Sequence, residues 1–128
     1  MIKSIIIGIV IVVVYTQKKC GDANQQQGCY KGRLEIKGIC SNYTIKVLEG
    51  KIDTTKFAAS WTDETASKSY SNVFALNSPC SFPKDIEQGD EFYFTITEGG
   101  DKNCNVCMAY YPTPAKRLYI AVSKTPCP

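Results

Sequence analysis

The chain has 128 residues, enough for one domain, with 15 basic and 12 acidic side chains, seven cysteines and no histidine. The missing histidine excludes Ser-His-Asp and Cys-His nucleophile activation and any histidine-ligated zinc. Lys3, Lys18 and Lys19 carry the whole positive excess, so the chain beyond Cys20 holds twelve charges of each sign and lacks the basic patch that nucleic-acid binding requires.

Residues 1–19 are built around the apolar run Ile5–Tyr15, interrupted only by Gly8 and preceded by Lys3. The run is shorter than the roughly 20 apolar residues that span a bilayer. It reads as an export signal behind a minimal charged n-region, or, if retained, as a membrane anchor; no A-x-A pattern precedes Cys20. Seven cysteines behind such a segment read as the disulfide framework of an oxidising compartment. The odd count leaves one over, and Cys20, just after the apolar run, is the natural candidate. It is lipid-modified, disulfide-bonded or a free thiol, and Gln17-Lys18-Lys19 is not the small-residue box of lipoprotein processing. The framework is then Cys29, Cys40, Cys80, Cys104, Cys107 and Cys127, whose pairing the spacing leaves open.

Residues 20–32 are polar and punctuated by glycine, and read as a tether pinned at Cys29, with the domain proper at 33–128. Arg33–Ile39 alternates as a strand, with Gly38 marking a bulge or bend. Tyr43–Val47 alternates again across the hairpin-sized gap Cys40-Ser41-Asn42. Lys51–Ser60 has no clean period, and Thr54–Ala59 suggests a single helical turn capped by Thr54 or Thr55. Trp61, the sole tryptophan, and Tyr70 are expected on facing arms of a hairpin turning at Asp63–Ser67, with a strand over Ser69–Leu76. After the linker that holds Cys80 and Phe82, Gly89–Thr97 sets Phe92, Phe94 and Ile96 against Tyr93, Thr95 and Thr97. Val106–Tyr111 reads as a further strand stopped by Pro112-Thr113-Pro114, and Arg117–Val122 as the last. Six or seven short strands with many turns predict an all-β fold: a small antiparallel barrel of OB type, or else a sandwich, stapled by disulfides.

Few of these residues point to chemistry. Cys104-Asn-Val-Cys107 could be a redox dithiol or half of a thiolate-metal site, yet no helix follows it to lower a thiol pKa, and a scaffold role is the plainer reading. Asp85, Glu87, Asp90 and Glu91 lack the order of a calcium loop and read as solvated turn chemistry. Asn42-Tyr43-Thr44 is a glycosylation sequon. Alternation turns Tyr93 outward, and with Tyr110, Tyr111 and Tyr119 it forms a candidate binding face of tyrosines.

Several strings carry a resemblance: Ile36–Gly50, Ser60-Trp-Thr-Asp63, Asn72–Leu76, Cys80-Ser-Phe-Pro83, Gly89-Asp-Glu-Phe92 and Cys104-x-x-Cys107-x-Ala-Tyr-Tyr-Pro-Thr-Pro114. Over most of residues 29–122 the chain resembles small bacterial envelope proteins of the lipoprotein type, which implies export and anchoring but no activity. In strand order alone it is similar to netrin-like OB-fold domains, and no inhibitory motif carries over. The expectation is an exported domain, in the cell envelope or secreted, that binds a protein or glycan and does not catalyse. The alternative is a thiol–disulfide or thiolate-metal protein using Cys104 and Cys107. No cofactor and no nucleic acid are expected, and the membrane is met only through the N-terminal segment or a lipid on Cys20.

Overall fold

The computed structural model describes residues 28–100 and 103–128. The export segment, Cys20 and most of the tether lie outside the described residues. The chain is all-β: β1 (Cys29–Lys37), β2 (Tyr43–Glu49), β3 (Ala58–Asp63), β4 (Lys68–Leu76), β5 (Glu91–Thr97) and β6 (Arg117–Ser123). All six belong to one sheet, in the order β2-β1-β5-β6-β4-β3, so the sandwich alternative is set aside. β2 also pairs with β4, which joins β1, β2, β4, β6 and β5 in a ring and leaves β3 hydrogen-bonded to β4 outside it. Every pair is antiparallel except β4–β6. A parallel pair needs a long crossover, and the whole of β5 with its flanking loops supplies it.

β1 begins earlier than its alternation suggests. Cys29–Gly32 belong to the strand rather than to a tether, paired with Thr95–Phe92 of β5. Gly32 is there because the Phe94 ring lies over its backbone: a Cβ at this position would sit 2.9 Å from Phe94 Cε1. Glycine disguised a strand as a linker.

Three further expectations differ from the structure. Val106–Tyr111 is not a strand but an irregular strap. The single turn expected over Thr54–Ala59 is shorter and differently capped: it covers Thr54–Lys56, Asp53 rather than a threonine caps it, with its carbonyl accepting from the N–H of Lys56 and Phe57 and its carboxylate from the Thr55 N–H, and Ala58 already begins β3. Gly38 precedes a two-residue hairpin turn, in which Cys40 and Ser41 both adopt left-handed φ (53° and 59°) and Asn42 N–H donates to Ile39 O. That is the pattern of a type I′ turn, usually built from Asn and Gly. Here two ordinary L residues adopt it, at a cost of roughly 1–2 kcal/mol each.

The inward faces meet in an aromatic core. Phe94 is fully buried, with its ring 5.3 Å from Tyr30 and 5.5 Å from Phe74. Phe57, from the turn before β3, packs edge-on to Tyr30, and Phe82, from the β4–β5 linker, packs edge-on to Phe92. The linker thus supplies a core residue and closes the ring. Val73 to Leu76 of β4 are all buried, so this strand is covered on both faces where β2 and β6 flank it.

Truncation of the central ring tests this packing. Phe94→Ala should cost about 3–5 kcal/mol in urea unfolding of the oxidised chain. A loss under about 1 kcal/mol would show that Phe94 is not where the core is centred.

Candidate functional site

All six cysteines of the domain pair. Cys29–Cys127 ties the chain's end to the start of β1, with Cα atoms 5.5 Å apart. Cys80–Cys104 ties the β4–β5 linker to the strap, and Cys40–Cys107 ties the β1–β2 turn to it. Cys104 and Cys107 are therefore each bonded to a distant cysteine and not to each other. Three residues apart, they are pulled toward two different loops, which keeps Val106–Tyr111 from lying along the sheet as the expected strand; Pro112 and Pro114, with no N–H to give a ladder, end any pairing beyond it.

The strap is held by more than sulfur. The Asn42 side-chain amide donates both to Ile39 O (2.8 Å) and to Ala109 O (3.0 Å), so the nitrogen that a glycan would use brackets turn to strap. Ala75 N–H donates to Lys116 O, and Pro114 is fully buried. Tyr111 is the central peg. Its ring lies against Gly38, where a Cβ would approach within 3.1 Å, and its hydroxyl donates to Asp63 Oδ2 at 3.1 Å. Asp63 is 1% exposed, and its other oxygen accepts from Thr65 and Ala66 N–H in the β3–β4 turn. One buried carboxylate thus joins the strap to the edge hairpin. Burial first, and the bond to Asp63 second, push the Tyr111 phenol above its ordinary pKa.

The four tyrosines of the expected face do not form one stripe. Tyr93 sits between Lys31 and Ser123, beside an open cleft that includes Asp85, Asp90 and Lys124. Tyr119 is opposite Thr97, four residues further along β5, roughly 13 Å away. It lines a cleft of about 250 Å³ with Cys40, Cys104 and Val106. Tyr110 and Tyr111 lie on the strap, and the structure brings them to Trp61 and Tyr70. The latter two are cross-strand partners, as expected, and stack at 5.9 Å. Lys68 Nζ sits 5.0 Å from the Tyr70 ring. The acidic turn is spent locally: Asp90 accepts from Glu87 N–H, Glu87 pairs with Lys37, and Glu91 pairs with Lys31.

Sequence reasoning missed what surrounds Cys40–Cys107. Ile39 is 60% exposed, Met108 94% and Tyr110 83%, and Val106 is also exposed. Four of the five exposed large apolar side chains among the described residues flank this one bond or follow it on the strap. Ile39 and Met108 are far apart in sequence, and no periodicity links them. Thr44, in the strand that leaves the turn, is fully buried, and its Oγ1 has no hydrogen-bond partner among the described residues.

No family model matches the chain, and neither does any curated protein or solved structure.

Two measurements bear on this construction. Thr44→Val removes a buried, unpaired hydroxyl and should raise stability by about 1–2 kcal/mol in urea unfolding; a loss of that size would mean the hydroxyl is bonded. The second concerns pH. The folded Tyr111 holds its proton above the point, near pH 10, where the unfolded chain releases it. Its contribution is therefore complete below about pH 10 and is lost as pH rises through the raised value. Tyr30 behaves alike, burial being the larger cause and Asp53 the lesser. Tyr111→Phe should flatten part of the alkaline fall in stability, and parallel curves for the two proteins would refute the peg.

Proposed function

We propose that the chain is an exported, disulfide-stapled binding module that presents the strap and the edge hairpin to a protein or glycan in the envelope or outside the cell. The observation that carries this reading is the exposed apolar group at Ile39, Val106, Met108 and Tyr110, fixed by Cys40–Cys107. Soluble domains scatter such residues singly, whereas here four of the five large exposed apolar side chains among the described residues stand on the two segments that this bond joins, the kind of concentration that supports an interaction surface. Fixing it in advance removes ordering entropy from binding.

Two further features support the reading. The first is the ring order β1-β2-β4-β6-β5 with β4 and β6 parallel, which fits an OB-type barrel. In such barrels ligands lie across the second and third strands and the loops joining first to second and fourth to fifth. Here those loops are the Cys40 turn and the strap. The second is the cysteine pairing. Three disulfides are consistent with an oxidising compartment. They account for the six cysteines of the described domain, and Cys20 is then lipid-modified, bonded to another molecule or a free thiol. On this reading residues 1–19 export or anchor the domain, and the membrane meets the chain there. Neutrality beyond Cys20 favours a partner other than nucleic acid. A thiol–disulfide or thiolate-metal role would require Cys104 and Cys107 to leave Cys80 and Cys40.

Expression of the full chain with cell fractionation tests the reading. The protein should be recovered outside the cytoplasm with the six domain cysteines oxidised, and should bind isolated envelope material. Val106→Ser with Met108→Ser should leave the melting curve unchanged and reduce that binding at least about tenfold. Cytoplasmic protein with reduced cysteines, or undiminished binding by the double variant, would overturn it.

A further inference from the structure

Beside the apolar patch lies a cleft of different chemistry. It has a volume of about 500 Å³ and opens between the edge hairpin and the strap. Trp61 forms one wall; Tyr110 and Pro112 form the other. Thr62, Glu64, Thr65 and Thr113 supply its polar groups. The size falls within the roughly 300–1,000 Å³ of small-ligand sites.

The Trp61 wall and the backbone that carries Tyr110 are fixed before any ligand arrives. The Trp61 indole stacks on Tyr70, with ring planes 26° apart. The turn carrying Glu64 and Thr65 is set by Asp63, whose Oδ1 accepts from Thr65 N–H at 2.9 Å. The same carboxylate holds Tyr111, the neighbour of Tyr110, at 3.1 Å. The strap is secured a few residues earlier by Cys107 and by the bond from Asn42 to Ala109 O. Tyr110 itself is 83% exposed although its backbone is held. An aromatic side chain pays little entropy to stay in one place, and rigid rings set on a rigid scaffold are suited to face-on recognition.

The lining decides the ligand class. The only ionised group in the cleft is Glu64, and no lysine or arginine lines it. Arg117 donates to Thr113 Oγ1 at 3.2 Å from outside the lining, and within the lining a phosphate, sulfate or uronate would meet a like charge and no cation. Thr62 already bonds to Ser69 and Thr113 to Arg117, but a purely apolar peptide would leave the Glu64 carboxylate and the Thr65 hydroxyl without partners, which carries a penalty for each. A molecule with apolar C–H faces and a rim of hydroxyl groups satisfies both halves. Its flat faces would stack on the indole and phenol rings, and its hydroxyls would donate to Glu64 and exchange hydrogen bonds with Thr65 and Thr113.

We propose that the Trp61–Tyr110 cleft is a binding site for neutral saccharide chains. This rests on the reading of the chain as a binding module and names the ligand of one part of its surface.

Trp61 is the sole tryptophan, so its emission reports this cleft alone. The full oxidised chain is titrated with neutral trisaccharides of glucose, of N-acetylglucosamine and of mannose, and with a sulfated trisaccharide as the anionic comparison. At least one neutral sugar should give a saturable change in emission, and the sulfated one should give none. Tyr110→Ala, an exposed position whose change leaves the fold intact, should weaken the sugar at least about fivefold. Glu64→Gln keeps the shape and loses the charge, and should weaken it by a smaller factor. The proposal is overturned if no neutral sugar saturates, if the sulfated sugar binds as well, or if Tyr110→Ala binds undiminished. If the sugars fail while binding to envelope material survives and still depends on Val106 and Met108, the saccharide site alone is wrong. If both fail, the binding-module reading falls with it.

Discussion

The Cys40–Cys107 bond is the constraint on which the rest of the surface depends. It joins the β1–β2 turn, where two L residues sit at left-handed φ, to the irregular strap before β6. Neither part has an evident reason to keep its shape alone. A type I′ turn made of Cys and Ser is strained, and a segment carrying two prolines and pairing with no strand has no ladder to hold it. Bonded together, each removes freedom from the other. Asn42 adds one hydrogen bond across the same junction, to Ala109 O, and one within the turn, to Ile39 O, and Tyr111 carries the connection on to the buried carboxylate of Asp63. Sulfur, amide, phenol and carboxylate thus run in series from the β1–β2 turn to the edge hairpin.

This chain of contacts accounts for the placement of apolar groups outside the core. The core proper is aromatic and inward, with Phe94 at its centre and Gly32 beneath the ring. It sets the sheet but presents nothing to solvent. The side chains that face out, Ile39, Val106, Met108 and Tyr110, stand on the two segments that the disulfide joins. A small domain spends most of its limited apolar surface on its own stability. Leaving large apolar side chains exposed on the two segments with the most covalent restraint concentrates both features in one place. The other long-range staple, Cys29–Cys127, closes a loop of 98 residues and acts mainly against the unfolded chain, where the entropic gain from such a closure is on the order of 4–5 kcal/mol.

Period-two alternation over Arg33–Ile39, Tyr43–Val47, Gly89–Thr97 and Arg117–Val122 is enough to read four strands, to within a few residues at their ends, and the all-β class, because each has one face in the core and one toward water. The Trp61–Tyr70 pair was legible for the same reason: a short turn between two arms leaves few registers. The errors have a common cause. Gly32 was taken from a strand because a glycine under a phenylalanine ring looks, in one dimension, like a glycine in a linker. Val106–Tyr111 was taken for a strand because exposed apolar residues and buried ones are spelled alike. Of the expected tyrosine face, Tyr110 and Tyr111 were placed together by adjacency, while Tyr93 and Tyr119 were separated by the register of β5 on β6.

By itself the sequence determined the secondary-structure class, most strand positions, the neutrality of the domain and the absence of any histidine chemistry, since these follow from local periodicity and composition. It also determined that six cysteines stood ready to pair. Tertiary structure alone decided which sulfur met which, that β4 and β6 run parallel, that Asp63 is buried under Tyr111, and that Trp61 faces Tyr110 across a cleft. Those relations join residues tens of positions apart. They are set by the closure of the sheet into a ring, which brings loops together irrespective of their distance along the chain.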